Sequence, residues 1–186
     1  MLRANDATAT NTTASIAFLT ALSVALTLGF ACAAPLAAFG AYAALRMSRG
    51  PALALVGAVW AANQVVGFAF LSFPFTVECA AWGLALGASG LLASEAARPM
   101  QARGMAVSFV AAFVAYEGFL FACTAATGAD MTAYQPLEMG RVFLINALVF
   151  AGLAAVTKLA ERRDGAVRAI AARHAPRERI LDLARE

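Results

Sequence analysis

Charge is scarce in this sequence. Of 186 residues only 13% are Asp, Glu, Lys or Arg, while 62% are hydrophobic and mean hydropathy is +0.74. A soluble domain carries about 25% charged residues. One core of this size cannot hide so much apolar surface, so a soluble globular fold is excluded, and so is disorder. Histidine is scarcer still. The single one, His174, lies in the polar C-terminal segment, which argues against a haem-carrying subunit or a His-lined metal path. The three cysteines, Cys32, Cys79 and Cys123, lack CxxC spacing, so a disulfide framework or iron–sulfur site is not expected and they read as small apolar fillers. No Ser/His/Asp set, HExxH or phosphate-binding Gly-rich loop is present. The expectation is a non-enzyme without cofactor or metal. The net charge of +3 is too weak to imply nucleic acid as a partner, and its distribution matters more. Lysine occurs once, at Lys158, in an Arg- and Ala-rich chain, a bias that suggests a high-GC bacterial source.

What is present is long uncharged stretches. None of residues 7–45, 50–77, 79–94, 104–116, 118–129 or 142–157 is charged. A spanning helix needs about 20 mostly apolar residues. Unbroken runs without two-residue alternation exclude a lipid-facing β-barrel. An all-α membrane bundle is expected, with helices near 51–73, 76–96, 104–126 and 137–159. The first stretch, 15–45, is too long for one span, and Pro35 sits in its middle. Proline opens helices and breaks their interiors. Splitting there gives helices at 14–32 and 35–47, six in all; one long kinked helix and five spans is the alternative. A cleaved leader over Ile16–Ala33 is a further option, opposed by a long polar start with only Arg3 as a basic residue.

Arginine sets orientation. Arg46, Arg49, Arg98 and Arg103 mark two connections, and residues 158–186 carry eight basic and five acidic side chains. The positive-inside rule places these in the cytoplasm, with both termini, in a multi-pass protein of the bacterial inner membrane. Three segments follow: a polar start (1–13), the bundle (14–160) and a charged tail (161–186). The tail reads as an amphipathic helix along the lipid headgroups, through Val167, Ile170 and Ala171, restarted by Pro176 before Ile180 and Leu183. Docking onto a cytoplasmic partner is its alternative. Glu95 is expected to pair with Arg98 at i+3, and Glu78, at a helix start, to complement the dipole. Glu78, Asp130 and Glu138 otherwise read as solvated.

Ionisable residues at membrane depth point to function by default. Glu117 is the clean case, with Tyr116 beside it. Trp60, Asn63, Gln64 and Gly67 recur at i, i+3, i+4, i+7, one helix face. Asn146 enters from the opposite side. At the helical rise Asn63 and Glu117 stand about 18–20 Å above the cytoplasmic edge and Asn146 about 17 Å, one shared layer. In a small-molecule site Asn63, Gln64 and Asn146 would hydrogen-bond the ligand. Glu117 would meet a donor or cation, and Trp60 and Tyr116 would stack on it. Amides that only bond each other across helices are the competing reading, worth about 0.6–2 kcal/mol per bond. Glu117 as a proton or cation carrier is the third.

A six-helix bundle with both termini inside, no ATP-binding motif and a polar layer toward the outside resembles the substrate-capture (S) components of energy-coupling factor vitamin transporters. The resemblance covers about 14–160 and rests on architecture. It implies a vitamin-like ligand bound from outside and a membrane coupling subunit driven by paired ATPases. It also implies that an Ala-x-x-x-Ala face on the first helix, here Ala17, Ala21 and Ala25, contacts that subunit; Ala33, Ala37 and Ala41 repeat the pattern. The charged tail departs from a minimal S component. The expected function is therefore a transporter's substrate-binding subunit. A structural or assembly subunit of a larger complex, and a small cation-coupled transporter, are the alternatives.

Overall fold

A computed structural model of the chain describes residues 2–30 and 35–174, with the side chains of 12–28 and 35–167. Cys32, Ala33, Pro176, Ile180 and Leu183 lie outside the described residues. Among those described there are six α-helices and no strand. They are α1 (Leu2–Phe30), α2 (Leu36–Arg46), α3 (Arg49–Ala69), α4 (Val77–Ala97), α5 (Met105–Thr127) and α6 (Pro136–His174). Two short 3-10 turns, Arg98–Arg103 and Thr132–Tyr134, lie before and after α5. Four helices are long and apolar enough to cross a membrane: α3, α4, α5 and, in α6, Pro136–Val167. Large apolar side chains cover their outer faces, including Val65, Leu84, Val114, Leu144 and Leu148, each more than half exposed. Water does not tolerate such a surface and lipid does, so the fold is a membrane-embedded helical bundle. The chain divides into two units, residues 1–150 and 151–186.

The break at Pro35 holds: α1 ends at Phe30 and Pro35 precedes the first residue of α2. At 11 residues α2 is about 16 Å long, half of a hydrocarbon core. It is nonetheless the most enclosed helix, with eight of its residues buried. It packs against α3, α4 and α5, whereas α1 packs against α3. Small residues permit this. A Cβ on Gly40 would lie 3.1 Å from the Gly90 carbonyl oxygen and from the Ser94 nitrogen, so α2 and α4 touch backbone to backbone. The α4 face that makes room is Gly83, Gly87, Gly90, Ala93, Ser94 and Ala97, all buried.

Both ends of α2 are closed by side chains from far along the chain. The Ala38 N–H, in the first turn, donates to Asn146 Oδ1 at 3.1 Å. At the other end Gln101 Nε2 donates to the Ala44 carbonyl, and Arg98 Nη1 to the Met47 carbonyl at 3.4 Å. That corrects the expected Glu95–Arg98 pair. The 3-10 turn carries Arg98 toward the end of α2, and Glu95 pairs with Arg49 at 3.0 Å instead.

Three helix boundaries differ from the sequence reading. Helix α1 begins at Leu2, not near 14, so most of the polar start expected over 1–13 belongs to it. Helix α3 stops at Ala69, not 73, because the N–H groups of Leu71 and Phe73 fold back onto the Val66 and Gly67 carbonyls. The Phe73 ring then lies where a Cβ on Gly67 would stand, 2.6 Å away. Helix α6 does not stop near 159 but continues to His174, so residues 161–174 belong to it. Nothing between Lys158 and His174 breaks a helix except Gly165, which costs only about 1 kcal/mol.

Candidate functional site

The polar residues expected to form one layer are held on separate seams. Asn63, on α3, donates through Nδ2 to Ser23 Oγ on α1 at 3.0 Å and to its own helix at Val59 O, 2.8 Å. Its Oδ1 is buried without a hydrogen-bond partner, as are the hydroxyls of Thr20 and Thr27 on α1. Asn146 is 1% exposed and bonded through both its amide oxygen and its amide nitrogen, accepting from Ala38 and donating to Val142 O at 3.0 Å. Trp60 donates from Nε1 to the Gly83 carbonyl at 2.7 Å, and its ring occupies the space a Cβ on Gly87 would need. Gln64 fills the same role over Gly83. Tyr116 is buried beside Ser89 across the α4–α5 seam. Among the described residues no hydrogen bond joins Asn63, Gln64, Glu117 and Asn146. The amides stitch α1 to α3 and α6 to α2 rather than one another.

Glu117 stands apart. It is partly buried on α5, with no hydrogen bond or ion pair among the described residues. Phe113, one turn earlier, packs edge-on against Phe143 of α6, and Phe121, one turn later, edge-on against Tyr134. Helical geometry therefore puts Glu117 on the flank of α5 that bears these aromatic contacts.

A cavity of about 470 Å³ opens elsewhere, between the start of α4 and the end of α5. Its lining is Glu78, Ala81, Trp82 and Ala85 from α4, with Cys123, Thr127 and Ala129 from α5 and beyond. The α4 residues stand at i, i+3, i+4, i+7, one face, and Ser89 continues that face one turn deeper. On α5, Tyr116 lies two turns below Cys123. The Tyr116–Ser89 contact thus closes the seam beneath the cavity. Local sequence fixes both walls. Thr76 caps α4, its hydroxyl accepting from the Cys79 N–H at 3.2 Å, which sets Glu78 in the first turn. Gly128 ends α5 in the left-handed conformation, φ 66°. The connection that follows is braced by Asp130, which accepts from the Thr132 N–H and hydroxyl at 3.0 and 2.8 Å. Those two bonds hold its carboxyl below the ordinary range. Tyr134 folds back onto α5, its hydroxyl 3.3 Å from Thr124 Oγ1. Burial raises its phenol, and the bond to Thr124 opposes the rise.

Of the expected site residues none lines this cavity; Tyr116 lies under it. Trp82 and Thr127 escaped the sequence reading; Cys123 reads there as an apolar filler and Glu78 as solvated. A signal existed: the face Glu78, Ala81, Trp82, Ala85 has the same spacing as Trp60, Asn63, Gln64, Gly67. The face Ala17, Ala21, Ala25 is exposed, opposite the buried Leu19, Ser23 and Thr27, whereas Ala37 and Ala41 are fully buried. No group of three or more His, Cys, Asp or Glu able to hold a metal occurs among the described residues. Comparison with protein-family models, with curated proteins and with solved structures finds no match.

Proposed function

We propose that this chain is a multi-pass membrane protein that binds a small molecule at the end of the α4–α5 seam, in the role of a transporter's substrate-capturing subunit. The cavity beside Trp82 carries the reading: its volume falls within the roughly 300–1,000 Å³ usual for small-molecule sites. The basic residues support its orientation. Arg46, Arg49, Arg98 and Arg103 gather at the opposite helix ends, which by the positive-inside rule supports a cavity on the outer side and a C-terminus on the inner side of a bacterial inner membrane. On the six-helix count the N-terminus is inside too. The S-component resemblance adds a coupling subunit with ATPases, and the exposed Ala17, Ala21 and Ala25 are available for that contact.

The test is thermal stabilisation of the purified protein by a panel of vitamins and their precursors. A ligand that stabilises the wild type and Glu117→Gln but not Trp82→Leu supports the cavity. One lost in Glu117→Gln and retained in Trp82→Leu returns the site to the mid-membrane carboxylate and favours the cation-coupled reading, which rests on Glu117 having no hydrogen bond or ion pair among the described residues. A structural or assembly role is favoured by the inward bonding of Asn63 and Asn146. It gains if no ligand stabilises the protein and a large complex co-purifies only when residues 160–186 are present.

A further inference from the structure

Building on the cavity reading above, we infer that its ligand is an organic cation, an alkylammonium group on an apolar or aromatic body. The lining decides this by its balance of donors and acceptors. Among the described residues Glu78 is the one charged side chain in it, and none of the lining residues is basic. Thr127 has committed its hydroxyl hydrogen to its own helix, with Cys123 O at 2.9 Å and Thr124 O at 3.1 Å as the acceptors in reach. What it offers a ligand is lone pairs. The Trp82 indole N–H is the sole strong donor, and its ring face is electron-rich toward a cation. The three alanines leave apolar wall.

The fixed dipoles agree. The cavity lies between the N-terminal turn of α4, which is positive, and the C-terminal turn of α5, which is negative. These oppose each other, and the Glu78 carboxylate leaves the site net negative. An anionic ligand would meet that charge with no arginine or lysine to answer it; an ammonium would pair with Glu78 and rest on Trp82. The same chemistry exists in a soluble amine and in the headgroup of an ethanolamine or choline lipid. The experiment separates these two sources.

The full-length protein in nanodiscs is titrated with trimethyl(2-phenylethyl)ammonium and with its uncharged carbon isostere, (3,3-dimethylbutyl)benzene. Tryptophan emission is followed in wild type, Trp82→Phe and Glu78→Gln. The cation is expected to change the emission of the wild type but not of Trp82→Phe, at least tenfold more tightly than the isostere. Glu78→Gln is expected to weaken the cation at least tenfold and leave the isostere unchanged. Equal binding of the isostere, or cation binding untouched by Glu78→Gln, overturns the charge assignment while the cavity reading stands. No change with either compound overturns both. Discs with the same fraction of phosphatidylglycerol, and so the same surface charge, with the balance either phosphatidylethanolamine or an uncharged glycolipid, then name the source. Weaker probe binding with phosphatidylethanolamine identifies the headgroup as the occupant, and equal binding in both identifies a free amine; each supports the ammonium assignment.

Discussion

Asn146 meets α2 where a helix start is buried and its N–H groups have little else to bond. Water cannot reach the Ala38 N–H, so losing its acceptor leaves an orphan donor, which costs about 1–3 kcal/mol. Asn146→Leu is expected to lower unfolding stability in detergent by that amount. The glycines where α4 meets α2 and α3 should rank by what can yield. A methyl on Gly40 meets the backbone of Gly90 and Ser94, which cannot move aside; on Gly87 it meets the Trp60 ring, anchored through Gly83; on Gly83 it meets the free end of Gln64. Gly40→Ala should therefore cost most, about 1–3 kcal/mol, and Gly83→Ala least, when melting temperatures are compared. The sequence named Asn146, Asn63 and Trp60 as unusual at their depth. The partners of Asn63 and Asn146 were not readable, because Ser23 and Ala38 bring no signal of their own.

At the scale of elements, absences marked the boundaries well. Pro35 split the first stretch, and the charges at Arg46, Arg98 and Arg103 bracketed the helix ends. Helix α6 overran its expected end because charge stops a membrane span but not a helix. Length was the less legible property of α2, which is half a span whose ends rely on Asn146, Gln101 and Arg98. The Arg49–Glu95 pair at the same end is worth little. Arg49 is 70% exposed, and either alanine variant should change stability by less than about 1 kcal/mol. The Asp130 turn is a pH-sensitive element. With its carboxyl lowered by Thr132, its contribution to folding is present above the unfolded value and is lost as pH falls through the lowered one. Hydrogen exchange at the Thr132 amide, corrected for intrinsic rate, should stay slow at neutral pH and quicken only once the pH falls below the ordinary carboxylate range. Asp130→Ala should abolish that dependence.

For the whole molecule, composition alone separated a membrane bundle from every soluble fold, and the layer of polar residues was the natural place to seek a site. The structure spends most of that layer on holding helices together. It leaves open space at the α4–α5 seam, lined by residues that read as ordinary: a first-turn glutamate, a lone cysteine, a threonine near a helix end. A cavity arises from how two helix faces meet, and neither face shows it alone. The central claim is that this space opens to the outside and holds a ligand. Cys123, which is unpaired and lines it, reports on both. The measurement is alkylation of a variant retaining only Cys123 by a membrane-impermeant thiol reagent applied to intact cells. Labelling from outside, slowed by the ligand that stabilises the purified protein, is the expected result. Labelling only after the membrane is opened, or a rate indifferent to that ligand, would contradict the account.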